Sequence, residues 1–352
     1  MSAVTRDRTG IPMLQVGPLF EGPSAERSSV DREVMAAAGS VGFAAIGGLP
    51  PDIPVDRTVR LELLRIFSLP PSQIRRLWRQ KFDPSQPNVY RGWFPTQSGD
   101  PTHKEGIDIG PDLAYGSAVV DGEDVLREAT PLPSESALPG WRAAAAAYYR
   151  ALGRTATVMM RSIARGLGLD EHRFDTAFAG GISTLRLIRY PVRSPESLQL
   201  QEGDPVWVTG QGERRYLVGR PHADSGFLTL LAQDGVEGLQ ARAADGQWLD
   251  VPPREGTLVM NFGRVLERWT GGRIKATEHR VVGAGRERYS IPYFHEPRVD
   301  ALIAPLPLAG AEPFEAFLYG DHLWSSVTKF VEFRGMEHLR RPRGTGQQLR
   351  GG

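Results

Sequence analysis

The sequence contains no cysteine. That excludes disulfides, thiolate nucleophiles, Fe–S clusters and cysteine-ligated zinc. An excess of either charge is also missing: 42 Lys and Arg stand against 41 Asp and Glu, a formal net charge of +1. Nothing in that balance suggests a nucleic-acid partner. Lysine is scarce, at positions 81, 104, 275 and 329 only, so nearly every cation is an arginine. A GC-rich genome is the plain explanation. No apolar run is long enough to read as a transmembrane helix. The opening MSAVTRDRTGIPMLQVGPLF lacks a signal-peptide core. A cytoplasmic protein without a membrane partner is therefore expected, and no interface signal argues against a monomer.

What is present is ordinary globular material: 352 residues, 40% hydrophobic and 24% charged, enough for a sizeable core. A strand is expected at Met13–Val16 and a buried one in GFAAIGG at 42–48. Helices are expected at Ser28–Ala38, Val55–Phe67, Pro71–Lys81 and Leu138–Leu169. The stretch Phe82–Leu132, rich in Gly, Pro and Asp, reads as loops. From about Gly180 to Pro297 the pattern changes to short β-like runs between turns, which suggests a sandwich or barrel rather than βαβ units. Asp234-Gly235 and Gly271-Gly272 read as hairpin signals. Helix returns at Pro313–Phe333, followed by a polar, frayed tail. Three regions follow: 1–175 mainly helical, 176–300 a β core, and 301–352 a helical extension, all packed as one unit.

His222-Ala223-Asp224 stands where a strand would begin. Side chains at i and i+2 share a strand face, so His222 and Asp224 can reach one ion. Alone the pattern is weak, because surface polarity at a strand start looks the same. His279, in ATEHRVVG, adds a second imidazole that a barrel or jelly roll could bring alongside. Two histidines and one carboxylate leave three positions of an octahedral ion open and suit non-heme Fe(II), although imidazole also suits Zn(II), Ni(II) and Cu(II). In ERYSIPYFHEP, Arg288 and Ser290 share a strand face, and a guanidinium with a hydroxyl makes a carboxylate receptor. Phe294 continues the same parity. An ordinary salt-bridged arginine beside an incidental serine would give the same string.

Taken together, HADSGFLTLLAQDGVEGLQ, LVMNFG, WTGGRIKATEHRVV, ERYSIPYFHEP and LRLIRYP resemble the isopenicillin N synthase-like family of Fe(II)/2-oxoglutarate-dependent oxygenases. The resemblance runs from Ile182 to Pro297. It implies a mainly β core with flanking helices, a double-stranded β-helix or jelly roll. It implies His222, Asp224 and His279 as iron ligands, Arg288 and Ser290 as the grip on 2-oxoglutarate, and Tyr190 beside them. Arg189 matches an arginine that contacts cosubstrate or substrate in some microbial members. Strand parity, however, sends Arg189 and Tyr190 to opposite faces unless Pro191 ends the strand there. Ile188 replaces a family asparagine, and Arg264 replaces a common acid after NFG, with no role evident beyond a surface salt bridge. The implied chemistry uses Fe(II), 2-oxoglutarate and O2 to oxidise an unactivated C–H bond of a small molecule by hydroxylation, desaturation or ring closure. Bacterial antibiotic or other specialised metabolism is the expected setting.

Substrate recognition is assigned to the loop YRGWFPTQSGDPTHKEG. Arg91 and Trp93 there could bind a carboxylate or stack on a ring. Asp100, Glu105 and Asp108 could instead welcome a cation. Competing readings are an oxidase of the same fold that takes no 2-oxoglutarate, an ethylene-forming fragmentation of 2-oxoglutarate, and a metal-binding jelly roll without turnover. Open coordination positions argue against the last, since inert sites are more often closed.

Overall fold

The computed structural model describes residues 5–6, 10–97, 100–198, 206–210 and 213–345. The expected polar tail from 346 onward, and Ser98 and Gly99 of the expected recognition loop, lie outside them. Two curved sheets face each other. The larger runs, in spatial order, Thr5–Arg6, Pro12–Gln15, Phe43–Gly47, Leu258–Phe262, Leu228–Gln233, Arg288–His295, Thr184–Tyr190, Glu105–Ile109 and Gly92–Phe94. The smaller runs Trp248–Asp250, Leu239–Arg242, His279–Val282, Glu213–His222 and Trp207–Gly210. This is the jelly-roll core, with helices against the outside of the larger sheet.

Strand periodicity sorts the large sheet into two faces. Leu185, Leu187, Leu228, Leu230, Ile291 and Tyr293 belong to the cluster that packs under the helices. Ile188, Tyr190, Val259 and Phe43 belong to a second cluster, shared with Val218, Leu239, Ala241 and Val281 of the small sheet. The long helix Trp141–Gly166 covers the outer face. Its buried positions, among them Ala145, Tyr149, Leu152, Ala156, Met160 and Ile163, recur at the spacing of one helical stripe. Tyr149 anchors it, donating a hydrogen bond to the Ser183 carbonyl at 2.7 Å.

Several expectations need correction. The region Phe82–Leu132 is not all loop: Gly92–Phe94 and Glu105–Ile109 extend the large sheet. Their glycines hid them, yet Gly106 is required, since a Cβ there would meet the Leu187 carbonyl oxygen at 2.2 Å. Asp234-Gly235 makes no hairpin, because Leu228–Gln233 and Leu239–Arg242 lie in different sheets and the turn carries the chain between them. Gly271-Gly272 follows the helix Arg264–Trp269 and ends it with φ of 60° and 75°. The expected helix Pro313–Phe333 shrinks to Tyr319–Val327, after a two-residue strand at Phe317–Leu318.

Candidate metal centre

His222 is the last residue of its strand and His279 the first of its own, and the two are directly paired across the small sheet. Adjacent pairing thus closes the long gap in sequence and sets the rings 4.4 Å apart between centroids. Asp224 is not on a strand. The strand stops at His222, and Asp224 sits on the loop that crosses to Leu228–Gln233. Two-residue parity therefore does not aim it; the backbone of the next crossing does. The Arg264 N–H donates to the Asp224 carbonyl at 2.8 Å and the Gly263 N–H to the Phe227 carbonyl at 2.7 Å. Gly263 lies so close to this loop that a Cβ would meet the Gly226 oxygen at 2.3 Å. At Arg264 only the backbone N–H, which any residue but proline would supply, takes part in this contact, and the side chain is exposed.

One potential ligand atom from each of His222, Asp224 and His279 lies within 4.8 Å of the other two. His279 Nε2 is 3.7 Å and His222 Nε2 3.9 Å from Asp224 Oδ1. The far sides are all occupied. His222 Nδ1–H donates to the Arg220 carbonyl at 2.8 Å, and His279 Nδ1–H to the Thr277 carbonyl at 3.2 Å. A carbonyl can only accept, so each Nε2 keeps its lone pair for the centre. Asp224 Oδ2 accepts from Thr229 Oγ1 at 2.6 Å and Asn261 Nδ2 at 2.7 Å. Burial and the neighbouring His279 push His222 down to about 4, which leaves it neutral near pH 7. Burial pushes Asp224 up, but His279, His222 and the two hydrogen bonds hold it below its ordinary value. Two lone pairs and a carboxylate oxygen converge, and the open side faces a cavity of about 240 Å³. That donor set fits a six-coordinate ion with free positions.

Arg288 and Ser290 share the inward face of the strand Arg288–His295. Both are buried, and Arg288 Nη2 makes one long hydrogen bond, 3.3 Å, to Gln233 Oε1. Arg288 Nε and Nη1 and Ser290 Oγ find no partner among the described residues. Buried donors left unpaired are costly and call for an explanation. A carboxylate would satisfy them as a fork and a hydroxyl contact. The Tyr190 ring lies 5.1 Å from the Arg288 guanidinium carbon.

Phe294 and Tyr190 line the cavity. Three other sequence candidates do not. Arg189 falls on the outer face, where it pairs with Glu105 at 3.0 Å and Glu287 at 2.5 Å. Trp93, also outward, is fully buried against Phe67. Arg91 is sealed in the interior, donating to Thr184 Oγ1 at 2.6 Å and the Ile182 carbonyl at 2.8 Å. The strand after Asp224, with Phe227, Thr229 and Leu231, is expected from the sequence to form pocket and core, but the hydrogen bond from Thr229 to Asp224 is not foreseen there, nor are the roles of Asn261 and Gly263, which NFG marks. Lys104, within the loop assigned to substrate recognition, Arg186, within LRLIRYP, and Glu332, which no motif marks, also line the cavity, and none of the three is singled out by the sequence.

Comparison with known proteins agrees with this geometry. The family model of the 2OG-Fe(II) oxygenase superfamily matches residues 187–297. Isopenicillin N synthase of Streptomyces clavuligerus is 29% identical over 330 residues, covering 92% of this chain and 97% of its own. The 2-oxoglutarate-Fe(II) type oxidoreductase hxnY of Emericella nidulans is 30% identical over 324 residues, with 87% and 85% covered. Among solved structures, a full-length Neurospora crassa protein in complex with alpha-KG superposes with a TM-score of 0.75 at 25% identity, covering 93% of this chain and 98% of that one. The chain belongs to the 2OG-Fe(II) oxygenase superfamily and is a non-heme iron dioxygenase that uses Fe(II), 2-oxoglutarate and O2.

Proposed function

We propose that His222, Asp224 and His279 hold the iron, that Arg288 and Ser290 with Tyr190 hold the distal carboxylate of 2-oxoglutarate, and that the enzyme oxidises an unactivated C–H bond of a small molecule. The observation that carries the reading is the pair of buried, unpartnered groups on Arg288 and Ser290 beside a three-ligand cluster with an open side. Bound together, iron and 2-oxoglutarate supply an oxidant from O2, with succinate and CO2 as coproducts. This chain's residues do the positioning. The Arg220 and Thr277 carbonyls orient the imidazoles, and Thr229 and Asn261 orient the carboxylate. Phe43 packs edge-on to His279 at 5.4 Å, and Phe227 gives the cavity an apolar lining. The isopenicillin N synthase relative supports a role in antibiotic or other specialised-metabolite biosynthesis.

The test is anaerobic. Fe(II) and then 2-oxoglutarate are added to metal-free protein, and the visible charge-transfer band of the chelate is followed. Arg288→Ala is expected to need about 10- to 100-fold more 2-oxoglutarate for half the band, the loss of one charge-assisted fork. An unchanged titration removes Arg288 from the site.

A further inference from the structure

Lys104, Arg186 and Glu332 line the cavity, and behind them lies a buried charge cluster built around one benzene ring. Three cations surround Phe94: Arg79 at 5.1 Å, Arg186 at 5.3 Å and Lys104 at 6.0 Å from its centroid. Two carboxylates answer them. Asp108 takes both Arg186, at 2.5 and 2.8 Å, and Arg79. Glu332, from the C-terminal segment, takes Lys104 at 2.9 Å. Every member is at least mostly buried, with side-chain exposures of 0% for Arg79, 1% for Asp108, 4% for Glu332, 16% for Lys104 and 18% for Arg186. Three positive charges against two negative leave one cation over.

Local carboxylates cannot absorb that surplus. Burial pushes Asp108 up, but Arg186 and Arg79 hold it at about 2. Burial likewise pushes Glu332 up, and Lys104 and Arg186 hold it at about 2. Both are already fully charged. Arg79 Nε and Nη1 also find no acceptor among the described residues. Lys81 adds a further cation, which donates to the carbonyls of Val331 and Arg334. Two of the acids that might have drawn a cationic substrate are spoken for, Asp100 by Arg220 at 3.1 Å and Glu105 by Arg189 at 3.0 Å, and Glu296, which lines the cavity, is pushed up to about 7 by burial. A surplus buried cation is expensive without a counter-charge.

Given the reading of the cavity as the substrate pocket, we propose that the primary substrate carries an anionic group of carboxylate size, docked against Lys104 and Arg186. Lys104 is held to Glu332 as an ion pair at 2.9 Å, and its ammonium carries donors for a further oxygen. The same cavity is lined by Phe294, which lies under Arg186 at 5.4 Å, and by Phe227, Leu228 and Phe330, an apolar surface for the body of the molecule. The fitting molecule is an acid with a hydrocarbon or aryl body, its charge at one end and the reacting carbon toward the metal.

A matched trio tests this: 3-phenylpropionate, 3-phenylpropanamide and 3-phenylpropylamine. They share one body and carry negative, zero and positive charge. Each is titrated into the anaerobic Fe(II) protein at saturating 2-oxoglutarate, so that the Arg288 receptor is filled. Binding is read from intrinsic tryptophan fluorescence and from the thermal midpoint. The acid is expected to bind about tenfold or more tighter than the amide, and the amine least. Lys104→Met should erase the preference and Lys104→Arg should restore it. Because Lys104→Met strands Glu332, the double variant Lys104→Met/Glu332→Gln is measured beside it and should also show no preference. Equal binding of acid and amide, tightest binding of the amine, no binding of the acid at millimolar concentration, or a preference that survives both variants overturns the proposal. The 2-oxoglutarate titration of the wild type is read separately. Its failure strikes the Arg288 assignment, whereas a normal titration without the acid preference strikes only the anion subsite.

Discussion

His222, Asp224 and His279 come from two paired strands and the loop that leaves one of them. Lys104, Arg186 and Glu332 face the same cavity but come from segments far apart in the chain. The first group is oriented largely by backbone: two carbonyls fix the imidazoles and a neighbouring turn fixes the carboxylate's loop, while the neutral side chains of Thr229 and Asn261 aim the carboxylate itself. The second group is oriented by side chains of opposite charge. Backbone orientation is local and survives surface change. Charge orientation depends on partners brought together only by the finished fold. The His222–Asp224–His279 cluster is therefore the rigid reference of the cavity, and under the proposed anion subsite Lys104 and Arg186 are where substrate choice would be varied.

The largest break in this contrast comes from Asp224→Ala. It removes one proposed ligand and leaves Thr229 and Asn261 without their acceptor. Iron affinity, measured by anaerobic titration, is expected to fall by more than about a hundredfold, since losing a group that only orients a ligand already reaches that range. Arg288→Ala follows, with the weakened 2-oxoglutarate binding given above. Asn261→Ala is smaller: one of two hydrogen bonds to Asp224 Oδ2 goes, and iron affinity should drop about tenfold. Gly263→Ala asks whether backbone orientation is real. The added Cβ cannot coexist with the Gly226 oxygen at 2.3 Å, so the loop must move. Weaker iron binding together with a lower thermal midpoint is the expected result, and unaltered iron binding would show that the loop positions nothing.

The same contrast explains what the sequence reveals. HADSGF, ATEHRVV and ERYSIP are short strings whose roles depend on immediate neighbours, and they mark both the β core and the candidate ligands. The parity of Arg288, Ser290 and Phe294 is visible because one strand carries all three. Strand parity also separates Arg189 from Tyr190, and the structure keeps them apart although the strand ends at Tyr190. Lys104 lies inside YRGWFPTQSGDPTHKEG and Arg186 inside LRLIRYP, yet their pairing with Glu332 and Asp108 cannot be read there, because it is made across strands and segments: Asp108 opposes Arg186 only through the register of Glu105–Ile109 against Thr184–Tyr190. Arg91 and Trp93 fail as candidates for a related reason. Polar and aromatic residues in a Gly/Pro-rich stretch suggest a pocket rim, but that stretch joins the large sheet and turns them inward or outward with the rest.

The smallest expected effect, on stability rather than turnover, separates the two kinds of buried acid. Glu296 lies beside the cavity and accepts from Thr184 Oγ1 and Tyr319 Oη, both at 3.0 Å. Burial pushes it from 4.5 to about 7, against the pull of Arg91 and the two hydroxyls. Its folded form holds the proton more tightly than the unfolded chain does. Its contribution to stability is therefore full below 4.5 and is lost as pH rises through about 7. Asp108 and Glu332 run the other way: their stabilisation is present above the ordinary carboxylate range and is lost as pH falls toward about 2. Glu296→Gln keeps the shape and removes the ionisation. The variant should match the wild type at about pH 5 and melt a few degrees higher at about pH 8. Asp108→Asn should lower the midpoint at both pH values, because Arg79 and Arg186 lose a charged partner. Parallel melting curves for Glu296→Gln and wild type across that range would mean that Arg91 keeps Glu296 ionised. Both kinds of buried acid would then answer to the same rule, and the contrast between them would collapse.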